Sequence, residues 1–239
     1  MKICAGVFMW GKRLAAIVMT GLCCMMFVIY SEKRADRRAD AAADGVCMDN
    51  GQSFYEKTVA ITFDDGPRSS STVKLLDGLK ERGIRATFFV VGENIPGNEE
   101  IIARMHDEGH IIGNHTYTHV ELAKLSHSAA VNEINKTNSL ITRITGEPVK
   151  FIRPPCGSWN EKLLYEFDMT PVFWSVDPKD WCTQSVSTVV SRVMTDVADG
   201  DIILFHDIYD SSVTAALEVI DRLSAQGFKF VTIDDILIE

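Results

Sequence analysis

Positive charge is in short supply. The 239-residue chain carries 24 Lys and Arg against 33 Asp and Glu, a formal net charge of −9. Beyond residue 52 the shortage deepens, with 17 basic residues facing 28 acidic ones. Nucleic-acid recognition needs a basic footprint, so nucleic acid is excluded as a partner. Long hydrophobic runs are as rare: one uncharged stretch stands out, Leu14 to Tyr30. No small-residue cleavage site follows it directly, because the first Ala-rich candidate, Ala41-Ala42-Ala43, lies beyond four basic residues. Cysteine is scarce where a fold is expected. Of six, Cys4, Cys23, Cys24 and Cys47 precede residue 53, which leaves only Cys156 and Cys182. The length suits one α/β domain with extras better than two full domains.

The apolar stretch is 17 residues long, preceded by Lys2, Lys12 and Arg13 and followed by a charged segment. It reads as a membrane-targeting segment, either a retained single-pass anchor with the remaining chain outside the cell or a signal removed on secretion. With no cleavage site beside it, the anchor is the expectation. Residues 31–52 are charged and small without apolar periodicity, a linker. The organisation expected is therefore an anchor or signal over 1–30, a linker over 31–52 and a folded domain over 53–239.

Within that domain, apolar β-rich runs alternate with helical patterns. The runs are Val59 to Phe63, Ala86 to Val91, His110 to Gly113, Lys150 to Arg153, Thr170 to Val176, Asp201 to Phe205 and Phe228 to Ile233. Helical patterns such as Ser70 to Arg82, Ser126 to Thr145, Val186 to Ala198 and Val213 to Gln226 lie between them. Repeated β-then-α units predict a parallel sheet flanked by helices, open or closed into a barrel. In either case the ligand site lies at the carboxyl ends of the strands.

Polar residues collect at those ends. The first run stops in Asp64-Asp65-Gly66-Pro67, which is either an ordinary turn or a buried strand delivering two acids to a loop. After the third run, His115 and His119 stand four apart, a spacing at which one helical turn aims both imidazoles at one point. With Asp65 they make two His and one carboxylate, a set with open coordination positions that suits a catalytic divalent ion such as zinc. Arg153 leaves the fourth run and wants a carboxylate; pairing with Asp64 would orient that acid. Trp181, beside acids after the fifth run, is a candidate to stack on a sugar ring. His206 ends the sixth run as a third imidazole, suited to donating a proton near neutral pH.

The ordered set TFDDGP, HTYTH, RPPCG, DPKDW and ILFHD resembles the five motifs of the NodB-homology polysaccharide deacetylases, carbohydrate esterase family 4, over about Lys57 to Ile236. The resemblance implies a distorted (β/α) barrel of about seven parallel strands and metal-dependent hydrolysis of N-acetyl groups on polymeric amino sugars. It implies Asp64 as catalytic base, Arg153 as its tether, His206 as general acid and Asp180 as the tether of His206. Asp65, His115 and His119 match the metal set, for zinc or else cobalt, nickel or manganese. Pro155, Cys156, Trp181 and Leu204 match the substrate-binding positions, the last two as walls of an acetyl pocket. Cys156 stands where the family usually has tyrosine; the oxyanion role there belongs to the backbone N–H and survives the change. The substrate expected is peptidoglycan N-acetylglucosamine, and the expected state is a monomer. N-acetylmuramic acid, chitooligosaccharide, an exopolysaccharide and a non-catalytic sugar-binding role are the alternatives. Finally, Cys156 and Cys182 each follow a motif on what the order of runs makes neighbouring strands, which predicts a disulfide between them.

Overall fold

The computed structural model describes residues 56–237 except 160–161 and 164–165. The expected anchor and linker lie outside the described residues. Among these, no helix is long and apolar enough to cross a membrane.

The elements run β1 (Lys57–Asp64), α1 (Ser71–Arg82), β2 (Thr87–Val90), α2 (Glu99–Asp107), β3 (Ile111–Asn114), α3 (His127–Thr145), β4 (Phe151–Ile152) and β5 (Thr170–Pro171). They continue with α4 (Val186–Asp196), β6 (Asp201–His206), α5 (Asp210–Ala225), β7 (Phe228–Val231) and α6 (Ile233–Leu237). Every strand pairing is parallel. The order is β5-β4-β3-β2-β1-β6, and β7 pairs with the first half of β1 while β2 pairs with its last residues. Beyond β5 the chain swings to β6, where Val176 bridges Ile203 and the Leu204 N–H reaches the Val176 carbonyl at 3.0 Å. That isolated bridge brings the chain beyond β5 onto β6, and the parallel sheet curls into a half-barrel that fits the expected (β/α) architecture.

All seven expected strands are present, four of them shorter than their runs, β4 and β5 the most curtailed. Pro154 and Pro155 stop β4. The fifth run keeps only Thr170–Pro171 as strand, because the carbonyls of Val172 and Phe173 accept from the Arg153 guanidinium at 3.3 and 3.1 Å. Helix ends follow local chemistry: the Ser126 hydroxyl accepts from the Ala129 N–H at the start of α3, and Gly146 at φ 75° ends it.

Alternation along β1 decides what faces the chemistry. Val59, Ile61 and Phe63 pack outward with Leu75, Leu76 and Leu79 of α1, whereas Ala60 joins Phe89, Val172 and Ile202 on the inner face. With a period of two, Thr62 and Asp64 share that inner face. Register then gathers the site: Asp64 lies opposite both Phe89 and His206, and Asn114 lies opposite Val90 and Ile152. The carboxyl ends of β1, β3, β4 and β6 form one rim.

Candidate metal and acid–base site

Two carboxylates leave β1 into different surroundings. Asp64 is 3% exposed and its Oδ1 accepts from Arg153 Nη1 at 2.8 Å. Arg153 is itself fully buried, and it also donates to the Thr62 hydroxyl at 2.7 Å while lying 4.2 Å from the centre of the Phe89 ring. Burial lowers the guanidinium pKa, and the Asp64 carboxylate offsets only part of that effect. Thr62 passes its own hydrogen to the Ile203 carbonyl at 2.7 Å. Asp64 is thus held through one oxygen, and the other, Oδ2, lies 3.7 Å from His115 Nε2.

Asp65 takes a left-handed φ of 77°, which turns its side chain away from that of Asp64. Its carbonyl accepts from the Asn94 side chain at 2.8 Å. Its Oδ1 is buried without a hydrogen-bond partner, 3.4 Å from His115 Nε2 and 3.2 Å from His119 Nε2. Burial works to raise the Asp65 pKa, but the two imidazoles outweigh it and hold the carboxyl well below the usual carboxylate range. His115 Nδ1 faces the Arg153 carbonyl at 2.6 Å. A carbonyl only accepts, so Nδ1 carries the hydrogen and Nε2 presents a lone pair to the site. Ligand atoms from Asp65, His115 and His119 all lie within 4.8 Å of one another. Bonds of roughly 2.0–2.1 Å to a tetrahedral ion put neighbouring ligand atoms about 3.3 Å apart. An orphaned buried oxygen at that separation from two imidazole nitrogens is a donor set that fits a divalent cation.

The helical turn expected for His115 to His119 is absent. Thr116 and His119 adopt left-handed φ values of 65° and 55°, and the two imidazoles meet, ring centres 5.0 Å apart, across an irregular loop.

The third imidazole is held by an acid. Asp180 is 2% exposed; its Oδ1 lies 2.8 Å from His206 Nδ1 and its Oδ2 accepts the His206 backbone N–H at 2.8 Å. Nδ1 therefore bears a hydrogen, and Nε2 is the position left for a second proton. Burial would lower the His206 pKa, but Asp180, with Asp64 and Asp65 behind it, pushes it up to about 9. Leu204, 4% exposed, precedes His206 by two residues and so shares its face of β6. Trp181 is 56% exposed on the turn beside Asp180. Pro155 is buried, and Cys156 is exposed with a left-handed φ of 55°.

The predicted disulfide is not there. Cys156 and Cys182 are both free and exposed, and the Cys182 thiol turns to the Lys179 carbonyl at 3.1 Å. The reason is the swing of the chain after β5: the turn bearing Cys182 packs against β6 and α5 instead of staying beside β4.

Thr62, through Arg153, and Asn94, through the Asp65 carbonyl, support the site and went unread in the sequence. Only Thr62 had a signal, its place two residues before Asp64 on the same face of a strand.

Residues 51–171 match the family model described as "Polysaccharide deacetylase". The chain is 41% identical over 181 residues to the peptidoglycan-N-acetylmuramic acid deacetylase PdaC of Bacillus subtilis, covering 76% of this chain and 39% of that protein. It is equally 41% identical over 187 residues to a peptidoglycan-N-acetylglucosamine deacetylase of Bacillus cereus, covering 75% of this chain and 68% of that protein. The solved structure of the Bacillus subtilis PdaC protein superposes with a TM-score of 0.74 over 76% of this chain and 90% of that one, at 41% identity. The chain thus spans about two-fifths of the length of the first of these relatives.

Proposed function

Because the chain belongs to the polysaccharide deacetylase family, we propose that it hydrolyses N-acetyl groups of amino sugars in a polysaccharide, and that peptidoglycan N-acetylglucosamine is its substrate. The observation that carries this reading is one rim holding an arginine-tethered carboxylate, a cation-binding triad and an acid-tethered imidazole.

Asp65, His115 and His119 would hold a divalent ion, zinc or else cobalt, nickel or manganese, which would supply Lewis acidity toward the acetamide carbonyl and lower the pKa of a water. Asp64, fixed through Oδ1 by Arg153, uses Oδ2 to take the proton of the attacking water. The backbone N–H of Cys156 receives the oxyanion as the carbonyl becomes tetrahedral. His206 then protonates the leaving amine from Nε2, without which the intermediate would expel water again. Trp181 offers an exposed face for a sugar ring, Pro155 stiffens the oxyanion loop, and Leu204 walls the acetyl group.

Residues 14–30 keep the enzyme beside the wall as a single-pass anchor with the domain outside, working as a monomer. Retention in alkali-washed membranes tests the anchor; recovery from the medium as a shortened chain rejects it.

The equal identity to PdaC favours a second substrate, N-acetylmuramic acid. Mass spectrometry of muropeptides after treatment separates the two: acetyl loss on glucosamine supports the proposal, loss on muramic acid alone supports the second reading, and loss on neither overturns both.

A further inference from the structure

We propose that Glu133 is a positioning residue, its carboxylate clamping the loop between His115 and His119 in the conformation that presents both imidazoles to Asp65. Left-handed backbone at Thr116 and His119 prevents that loop from pairing as helix or strand, so its polar groups need other partners. The Thr116 and Tyr117 carbonyls accept from the Gly92 and Glu93 N–H groups, each at 2.9 Å. The Thr116 N–H donates to Asn114 Oδ1 at 2.7 Å. The Tyr117 and Thr118 N–H groups go to one atom, Glu133 Oε2, at 3.0 and 2.8 Å, and the Thr118 hydroxyl reaches the same oxygen at 3.1 Å.

The helix that bears Glu133 is itself tied to the metal strand. Asn114 Nδ2, at the end of β3, donates to the Ile134 carbonyl at 2.9 Å and to Asn138 Oδ1 at 2.7 Å. That fastening sets the rotation of α3 and aims Glu133 at the loop. Three donors on a carboxylate oxygen are charge-assisted hydrogen bonds, stronger than neutral ones. Without that acceptor, two adjacent backbone donors lose their partner at the point where the chain must reverse between two ligands. Groups of this kind, one step removed from a metal, change its affinity by roughly 10- to 100-fold.

This inference rests on reading Asp65, His115 and His119 as a metal site, and its test separates the two. In the metal-free full chain, hydrogen exchange at the Tyr117 and Thr118 amides reads the clamp with no metal involved: Glu133→Ala should accelerate both, and Glu133→Gln, which keeps an acceptor oxygen, should restore most of the protection. Zinc titration against a chromophoric chelator then reads the consequence. The Ala variant should bind about 10- to 100-fold more weakly than the parent and the Gln variant within about threefold of it. Unchanged amide exchange in the Ala variant overturns the clamp. Parental zinc affinity in the Ala variant, or equal loss in the Ala and Gln variants, overturns its role in positioning ligands. A parent chain that binds no zinc overturns the metal reading, and the exchange measurement still decides the clamp.

Discussion

His206 and Asp64 are each held at the rim by a partner of opposite charge. Asp180 grips His206 through both the ring and the backbone, and burial alone would have lowered the pKa that this grip raises to about 9. In the proposed mechanism protonated His206 gives a proton to the amine, so activity should persist at neutral pH and fall as pH rises through the pKa of this imidazole. Asp180→Asn keeps the shape and removes the charge. Its alkaline limb should move to lower pH, toward the ordinary histidine value near 6.5. A pH–rate profile of both proteins checks this, and a limb that stays in place removes His206 from the acid role. Arg153, itself anchored on the Thr62 hydroxyl, fixes one Asp64 oxygen and leaves the other free.

The loop after β1 sits on a buried acid. Asp207 accepts from the Thr72 hydroxyl, and its N–H reaches the Asp64 carbonyl at 3.3 Å. Burial, first, and the nearby Asp65 and Asp64 charges push its carboxyl up to about 7. Gly66 lies directly over it, and a Cβ there would overlap the Asp207 carboxylate. Gly66→Ala should therefore cost about 1–3 kcal/mol of stability by overpacking and shift both Asp64 and Asp65; urea unfolding and zinc affinity measure the two effects. The strands and their functional ends were legible in the sequence because the first, fourth and sixth buried runs stop abruptly at Asp64, Arg153 and His206. Arg153 and Asp64 were readable as partners because a buried arginine needs an anion. The conformation of the His115–His119 loop was not, since neither Thr116 nor His119 is a residue that announces left-handed backbone. Nor was the fate of the fifth run: Arg153 captures its carbonyls and the chain crosses to β6, which parts the two cysteines.

Taken whole, the domain is an acidic half-barrel with its chemistry on one rim and two unpaired thiols on exposed loops beside it. Reductant should then change neither melting temperature nor activity, and alkylation of the folded chain followed by peptide mapping should label Cys156 and Cys182 both; protection of the pair until reduction would contradict the structure. The division of labour at the rim makes the sharpest demand on the molecule. In the proposed mechanism Asp64 is the base, so Asp64→Asn, which leaves Asp65, His115 and His119 in place, should keep the metal and lose turnover by roughly 10²–10⁴-fold. The measurement is acetate released from purified peptidoglycan by the parent and by Asp64→Asn, at equal metal content per chain. The account predicts acetate from the parent and almost none from the variant. Acetate from neither, or equal release by a variant that retains its metal, would contradict it.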